Sequence, residues 1–239
     1  SGVSLSPEGG AHQSTITASI GLELPNLVAA EPAYVAALDW LLCAALDSLA
    51  NDPAGEAFYL RLTTRELDQA PFEAARERLG GEALRADVLA GAYRLVEPAA
   101  DGPPVTICAS GAVMPEVIEA AAELAGEGIA AAVVDVTSLD RLYRGWRQTL
   151  TRSIGGAHRP QQDHHLRTVL GAEPGPLVTV HDASPHSMAF LGSAVGKPVV
   201  PLGVDGFGQS GTIPDLYDTH QLTTGHIVNA ACAALDLQT

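Results

Sequence analysis

The segment Glu8-Gly9-Gly10-Ala11-His12-Gln13-Ser14 places an imidazole directly after a glycine pair. Glycines let the backbone approach a ligand closely, and a histidine beyond them can present a neutral or protonated ring at the mouth of a cleft. Spacing alone leaves open that His12 is simply an exposed loop residue. A second segment, Gly203-Val204-Asp205-Gly206-Phe207-Gly208-Gln209-Ser210-Gly211, has the glycine density of a phosphate loop. It lacks the Gly-Lys-Ser/Thr ending of a P-loop and the full Gly-x-Gly-x-x-Gly of a dinucleotide fold. Asp205 and Ser210 are therefore read as shaping a turn and capping the next helix.

Three other groups could carry chemistry. His158, Asp163, His164 and His165 have zinc-type donor atoms, but their adjacent spacing fits a solvated polar loop better than a structural metal site. His181, Asp182 and His186 fall where a strand passes into a helix, the edge at which α/β sheets bind ligands; the alternative is that Asp182 or Ser184 caps that helix. Arg141, Arg144, Arg147 and Arg152 lie mostly on one side of a helix. They could meet an acidic partner or a carboxylate, or pair within an acidic chain.

These residues need elements to hold them. After a loop-like opening, a short helix is expected from about Ser14 to Gly21 and a buried strand at Leu27–Glu31, with Pro32 placed to open a helix. From Ala33 to Ala50, Val35, Leu38, Leu41, Leu42, Ala45, Leu46 and Leu49 recur at three- and four-residue steps, the mark of an amphipathic helix. Ala57–Leu62 reads as a strand. Between Thr63 and Leu84 the periodicity weakens and Gly80-Gly81 appears, as in a linker holding a short helix.

A second α/β pattern follows: strands at 91–97, 105–109, 130–136, 177–181 and 198–202, and helices at 114–126, 139–154, 185–195 and 224–235. Strands alternating with helices predict a mostly parallel sheet covered on both faces.

Composition bounds the possible functions. The 239 residues are 46% hydrophobic, enough for real cores, and no apolar run approaches a membrane span. The net charge of -15 disfavours nucleic acid and anionic membranes as partners. Cys43, Cys108 and Cys232 are far apart in apolar stretches, which favours buried reduced thiols. The opening Ser1-Gly2-Val3 has neither a basic leader nor an apolar signal core. A cytoplasmic setting is the expectation, with the chain a processed or truncated piece.

Two of the segments together carry a resemblance. Pro7-Glu8-Gly9-Gly10-Ala11-His12-Gln13-Ser14, then Leu24-Pro25-Asn26-Leu27 and Glu31-Pro32-Ala33, resembles the end of the pyrimidine-binding domain of transketolases and of the homodimeric decarboxylating component of pyruvate dehydrogenase. Phe58-Tyr59-Leu60-Arg61-Leu62-Thr63-Thr64-Arg65 resembles the last strand of that domain. Residues 202–211 resemble the glycine-rich stretch near the end of the family's carboxyl-terminal domain, nearest to the pyruvate dehydrogenase branch.

The resemblance implies an α/β protein in two parts. Residues 1–67 would finish a thiamin-diphosphate pyrimidine domain, 68–81 would link, and 82–239 would form a three-layer α/β/α transketolase-type carboxyl-terminal domain. His12 falls on the family histidine near the thiazolium, the catalytic position. Glu8 and Gln13 fall on substrate-binding positions, Glu8 where transketolases usually carry Asp, and Gln13 with Ser14 would also orient the loop.

The family's cofactor-binding Gly-Asp-Gly motif does not occur in this sequence, so thiamin diphosphate and magnesium are expected to be bound by residues outside it. The chain by itself is expected to be inactive. The complete enzyme would decarboxylate a 2-oxo acid as a homodimer, with a lipoyl acyltransferase complex as a further partner. The alternatives are a transketolase moving a ketol unit between sugar phosphates, and a domain serving only dimerisation or assembly.

Overall fold

A computed structural model describes residues 2–53, 55–156, 163–171 and 175–238. Two parallel strands, β1 (Leu27–Ala30) and β2 (Ala57–Leu60), form a small sheet joined through helix α2 (Val35–Asn51). The expected helix before β1 is a single turn of 3-10 helix, Thr17–Ser19, running into the four-residue α1 (Ile20–Glu23). The opening also winds into 3-10 turns over Val3–Glu8.

The segment expected to link the halves holds α3 (Ala70–Leu79), and α4 (Gly81–Ala90) follows at once, a helix the weak periodicity there had concealed. Phe72 of α3 is buried, with ring centroids 5.4 Å from Tyr34, 5.6 Å from Trp40 and 5.8 Å from Tyr93. It therefore joins α2 on one side to the larger sheet on the other.

That sheet has strand order β3 (Ala92–Val96), β5 (Ala130–Val136), β4 (Pro104–Ala109), β6 (Leu177–Val180), β7 (Val199–Leu202). Only β3 runs antiparallel, at one edge. Pro201 sits in β7 at the other edge, where a missing N–H disturbs least. The central strands are buried end to end, as expected of strands covered on both faces.

Helices α4, α5 (Met114–Gly126) and α10 (Thr224–Asp236) bury residues in one core cluster with α2 and α3. Helices α6 (Leu139–Gly156), α7 (His165–Leu170) and α8 (His186–Val195) build a second cluster across the sheet. The arrangement is the expected three-layer α/β/α. Short α9 (Ile213–Thr219) precedes α10, and its cap is Thr212, whose hydroxyl accepts from Asp215 N at 3.3 Å. Ser210, the expected cap, lies outside that turn.

The small sheet is stitched to the large one along the outer edge of β1. Glu31 N donates to Thr137 O at 2.8 Å, Ala29 N to Asp140 Oδ1 at 3.1 Å, and Ser138 Oγ to Ala29 O at 2.8 Å. Arg144 adds a bond to Leu27 O at 2.7 Å. Backbone groups that another strand would otherwise meet are thus satisfied by the β5–α6 corner.

Of the cysteines, Cys108 alone is buried; Cys43 and Cys232 are exposed, on the outer faces of α2 and α10. An apolar run in a helix does not say which face a given residue occupies.

Candidate functional site

The opening segment is laid across the carboxyl end of the large sheet and fastened at several points. Val3 N donates to Asp182 O at 3.0 Å, and Ser184 N donates to Thr15 O at 3.1 Å. The hydroxyls of Ser4 and Tyr217 lie 2.7 Å apart, and Ser6 Oγ donates to Gly211 O at 2.8 Å. These contacts bring the two glycine-rich motifs of the sequence together.

Gln13 sits at the centre of that junction. It is buried, and its Nε2 donates to Ser6 O at 2.9 Å and to Gln209 O at 3.0 Å. Gly10 and Gly208 are required by space: a Cβ on Gly10 would collide with the Phe207 ring and the Gly208 carbonyl, and one on Gly208 would meet the Gln13 side chain. The opening loop turns through Gly9, at φ +77°, and leaves Glu8 and His12 exposed to solvent. Ser14 Oγ accepts from Thr17 N at 3.2 Å, ending the loop.

Under the start of the opening segment, against Gly2 and Val3, lies an ionic cluster that sequence spacing did not reveal. Glu31 follows β1, Arg61 follows β2, and His181 and Asp182 follow β6, so the carboxyl ends of three strands from two sheets deliver their charged groups to one place. Arg61 is ion-paired to Glu31 and, at 2.7 Å, to Asp182. His181 Nε2 lies 2.9 Å from Glu31 Oε2, to which it donates because a carboxylate can only accept. Its Nδ1 is 3.1 Å from Ser187 Oγ.

Arg61, His181 and Asp182 are all buried. Burial alone would raise the Asp182 pKa, but the Arg61 guanidinium, the His181 ring and hydrogen bonds from Ser4 and Arg61 hold it below the ordinary carboxylate value. Burial works against the charge on Arg61 as well, and its two carboxylate partners more than offset this.

Asp182 is therefore an ion-pair partner and not the helix cap it resembled. Helix α8 begins after Pro185 with no side-chain cap, and Ser184 Oγ instead meets His186 Nδ1 at 2.7 Å.

A second buried carboxyl adjoins the cluster. Asp135 on β5 is fully enclosed and accepts from Tyr93 OH at 2.7 Å. Burial pushes its pKa up to about 7; the Tyr93 hydroxyl opposes that shift and the charge of Glu31 adds to it.

Glu31, His181 and Asp182 hold donor atoms within 4.8 Å of one another, the spacing of a metal site. The Arg61 guanidinium already bridges the two carboxylates and cancels one of their two charges, and it occupies the side on which a metal ion would have to approach both. A more open hollow of about 490 Å³ lies at the carboxyl ends of β1 and β2, lined by Pro32, Tyr34, Val35, Leu62, Thr63 and Arg65 among others. Arg65 is held there in a two-toothed pair with Glu116, 2.8 Å on both arms, and is committed to the protein.

The remaining sequence candidates separate. His164 Nε2 is 3.2 Å from Ala194 O and His165 Nε2 2.7 Å from Ala92 O, so each ring fastens α7 to a neighbour, and His158 lies outside the described residues. Arg144 pairs with Glu56 at 3.0 Å and with Asp140 at 3.6 Å, the internal pairing open to an acidic chain.

Comparison with known proteins agrees with this fold. Residues 91–223 match the family described as transketolase-like TK C-terminal domain. The chain is 31% identical, over 80% of its length and 20% of the relative's, to the pyruvate dehydrogenase E1 component of Mycolicibacterium smegmatis. A transketolase variant from Pichia stipitis superposes with TM-score 0.72 at 21% identity, covering 99% of this chain and 29% of that one.

A split-gene transketolase, described as an inactive β4 tetramer, superposes with TM-score 0.59 at 23% identity, covering 98% of this chain and 66% of that one. The chain thus spans about a fifth of the curated relative's length and under a third of the full-length transketolase. With a family match over more than half of its residues, the chain belongs to the transketolase-like carboxyl-terminal domain family.

Proposed function

We propose that this chain works as the carboxyl-terminal part of the decarboxylating component of a pyruvate dehydrogenase-like 2-oxo acid dehydrogenase, and that it is inactive alone. The observation that carries this reading is the seating of the His12 loop on residues 203–211 through Gln13. The loop is held by buried bonds at its base while the imidazole stays in solvent, the arrangement of a group offered to a site completed from outside. Identity to a pyruvate dehydrogenase E1 component favours the 2-oxo acid reading over a ketol-transferring transketolase.

Thiamin diphosphate with magnesium is the cofactor this family reading implies, and the chain's own described residues do not fit it. Their one convergent set of acid and imidazole donors, Glu31, His181 and Asp182, is closed by Arg61. Residues beyond this chain would hold the cofactor.

What His12 contributes is a proton held or released at a ring nitrogen beside the reacting centre, work for which imidazole is suited near neutral pH. Glu8 flanks the same opening and would meet the substrate. Gln13 orients the loop through its two carbonyl contacts. A homodimer, a lipoyl acyltransferase complex and a cytoplasmic setting complete the proposal.

Calorimetric titration with thiamin diphosphate and magnesium, of this chain and of a form extended upstream, tests it. Binding and pyruvate decarboxylation by the extended form alone are the expected result, with His12→Ala lowering turnover by about 10²-fold or more and leaving cofactor affinity unchanged. Tight binding by this chain alone would overturn the placement of the cofactor residues. Full turnover in His12→Ala would leave assembly as the role of this part.

A further inference from the structure

Helix α6 gathers Arg141, Arg144, Arg147 and Arg152, four of the 13 lysines and arginines of a chain whose net charge is -15. Its one acid, Asp140, is buried at the start. Helices α3 and α4 instead intersperse Glu73, Glu77, Glu82 and Asp87 with their arginines. Arginines at three-residue steps along one helix repel each other, so this ridge is a cost that the chain's many acids do not relieve.

Arg141 and Arg144 share a single carboxylate, Glu56, at 4.0 and 3.0 Å. Arg147 and Arg152 are exposed and have no acidic partner among the described residues. Neither lies in the last turn of the helix, where the helix dipole would favour a cation.

At 100° per residue, Arg144, Arg147, Gln148, Thr151 and Arg152 fall within roughly 140° of one another, on the side opposite the buried Leu142 and Thr149. They line a hollow of about 420 Å³. One turn beyond Thr151, on the same side, Ile154 is 79% exposed.

We infer that this face of α6 is a docking surface for an acidic peptide segment of a partner protein, its carboxylates meeting Arg147 and Arg152 and an apolar side chain resting on Ile154. Charge complementarity supports that occupant. An acidic segment is repelled by the negative surface elsewhere, so the arginine face fixes where it lands. The guanidinium fork suits carboxylates in particular.

The shape of the hollow favours a segment over a small anion. Its lining comes from one helix among the described residues, so a small molecule would keep most of its surface in water, unlike a ligand in a true pocket. A segment laid along the helix meets several groups in turn: Arg144 to Arg152 spans roughly 12 Å, the reach of about four extended residues. Exposed ion pairs contribute little each, so binding is micromolar and weakens as salt rises. This inference stands independently of the function proposed above, because its readout is peptide binding and not turnover.

Fluorescence anisotropy of a labelled peptide alternating Asp and Leu, titrated with the chain, tests it, beside a peptide with Lys in place of Asp and with unlabelled pyrophosphate as competitor. The Asp peptide is expected to bind and the Lys peptide not to. Arg147→Gln with Arg152→Gln is expected to weaken binding by about tenfold or more with the circular dichroism spectrum unchanged, while Arg85→Gln on α4 has no effect. Thr151→Glu, which puts a carboxylate into the hollow and keeps both arginines, is expected to weaken binding likewise and decides the matter if the double variant disturbs the fold. Absence of binding by the Asp peptide, or binding indifferent to Thr151→Glu and to the double variant, would overturn the proposal. Pyrophosphate displacing the peptide at equal or lower concentration would overturn it in favour of a small-anion site.

Discussion

Arg61 and Asp182 form a buried ion pair at 2.7 Å that ties the end of β2 in the small sheet to the end of β6 in the large one. They are separated by 121 positions in the chain, so the contact exists only when both sheets have formed. Removing Arg61 leaves Asp182 charged, buried and without its cation, and removing Asp182 leaves the buried Arg61 with Glu31 as its one remaining ion-pair partner among the described residues; either is worse than replacing both.

Arg61→Met is accordingly expected to destabilise the fold by about 3–5 kcal/mol, Asp182→Ala by less because Arg61 keeps Glu31, and Arg61→Met with Asp182→Leu together by less than Arg61→Met alone. Urea titration of the two single variants and the double variant measures this. The pair also sets an acid limit. The Asp182 pKa is lowered in the fold, so its contribution is complete above the unfolded value of about 3.9 and is lost as pH falls through the lower folded value. Loss of stability on acidification below about pH 4 should be smaller in the double variant.

Asp135 has the opposite sign. Its pKa is pushed up to about 7, so the folded protein binds a proton that the unfolded chain has released above its lower pKa. Stability from this group is fully present below about pH 4 and falls by up to about 1.4 kcal/mol for each unit up to the folded value. Asp135→Asn keeps an acceptor for Tyr93 and is expected to flatten this slope between pH 4 and 7, read by thermal unfolding across that range. An unchanged slope would show that another group carries the dependence.

Gln13→Ala removes the donor shared by Ser6 O and Gln209 O. Leaving buried carbonyls unpaired costs about 1–3 kcal/mol, and here the loss is local. Hydrogen exchange of residues 9–14 is expected to accelerate while that of β4 and β5 stays at the wild-type rate. Gly208→Ala, which forces a side chain into Gln13, should reproduce the effect. Unaltered exchange in both would mean that the loop is held by its other contacts.

Phe72→Ala opens a cavity where α3 meets Tyr34, Trp40 and Tyr93. About 3–5 kcal/mol of destabilisation is expected. Because one core cluster spans α2, α3 and the large sheet, the fluorescence of half-buried Trp40 and far-ultraviolet circular dichroism should report a single shared transition in the wild-type chain. Two separated transitions would show that the small sheet unfolds independently.

Much of this fold was legible because its signals are local. Residues 114–126 and 130–136 alternate between helical periodicity and a buried β-branched run, and they fold as α5 and β5 at the expected ends. Helix α4 was hidden because its surface is charged and only Leu84 and Val88 are buried, too few for a periodic signal. The cap of α9 was misplaced by two residues because neighbouring hydroxyls are equivalent caps until the backbone chooses one.

By itself the sequence determined the α/β alternation, the motif pair at 8–14 and 203–211, and the family they resemble, since periodicity and glycine placement act over a few residues. Tertiary structure alone decided that Gln13 bridges those motifs, that Glu31, Arg61 and Asp182 meet, and that α6 keeps Arg147 and Arg152 in solvent. The physical reason is range. Burial and ion pairing depend on which strands lie side by side, and order along the chain leaves that undetermined until the sheets assemble.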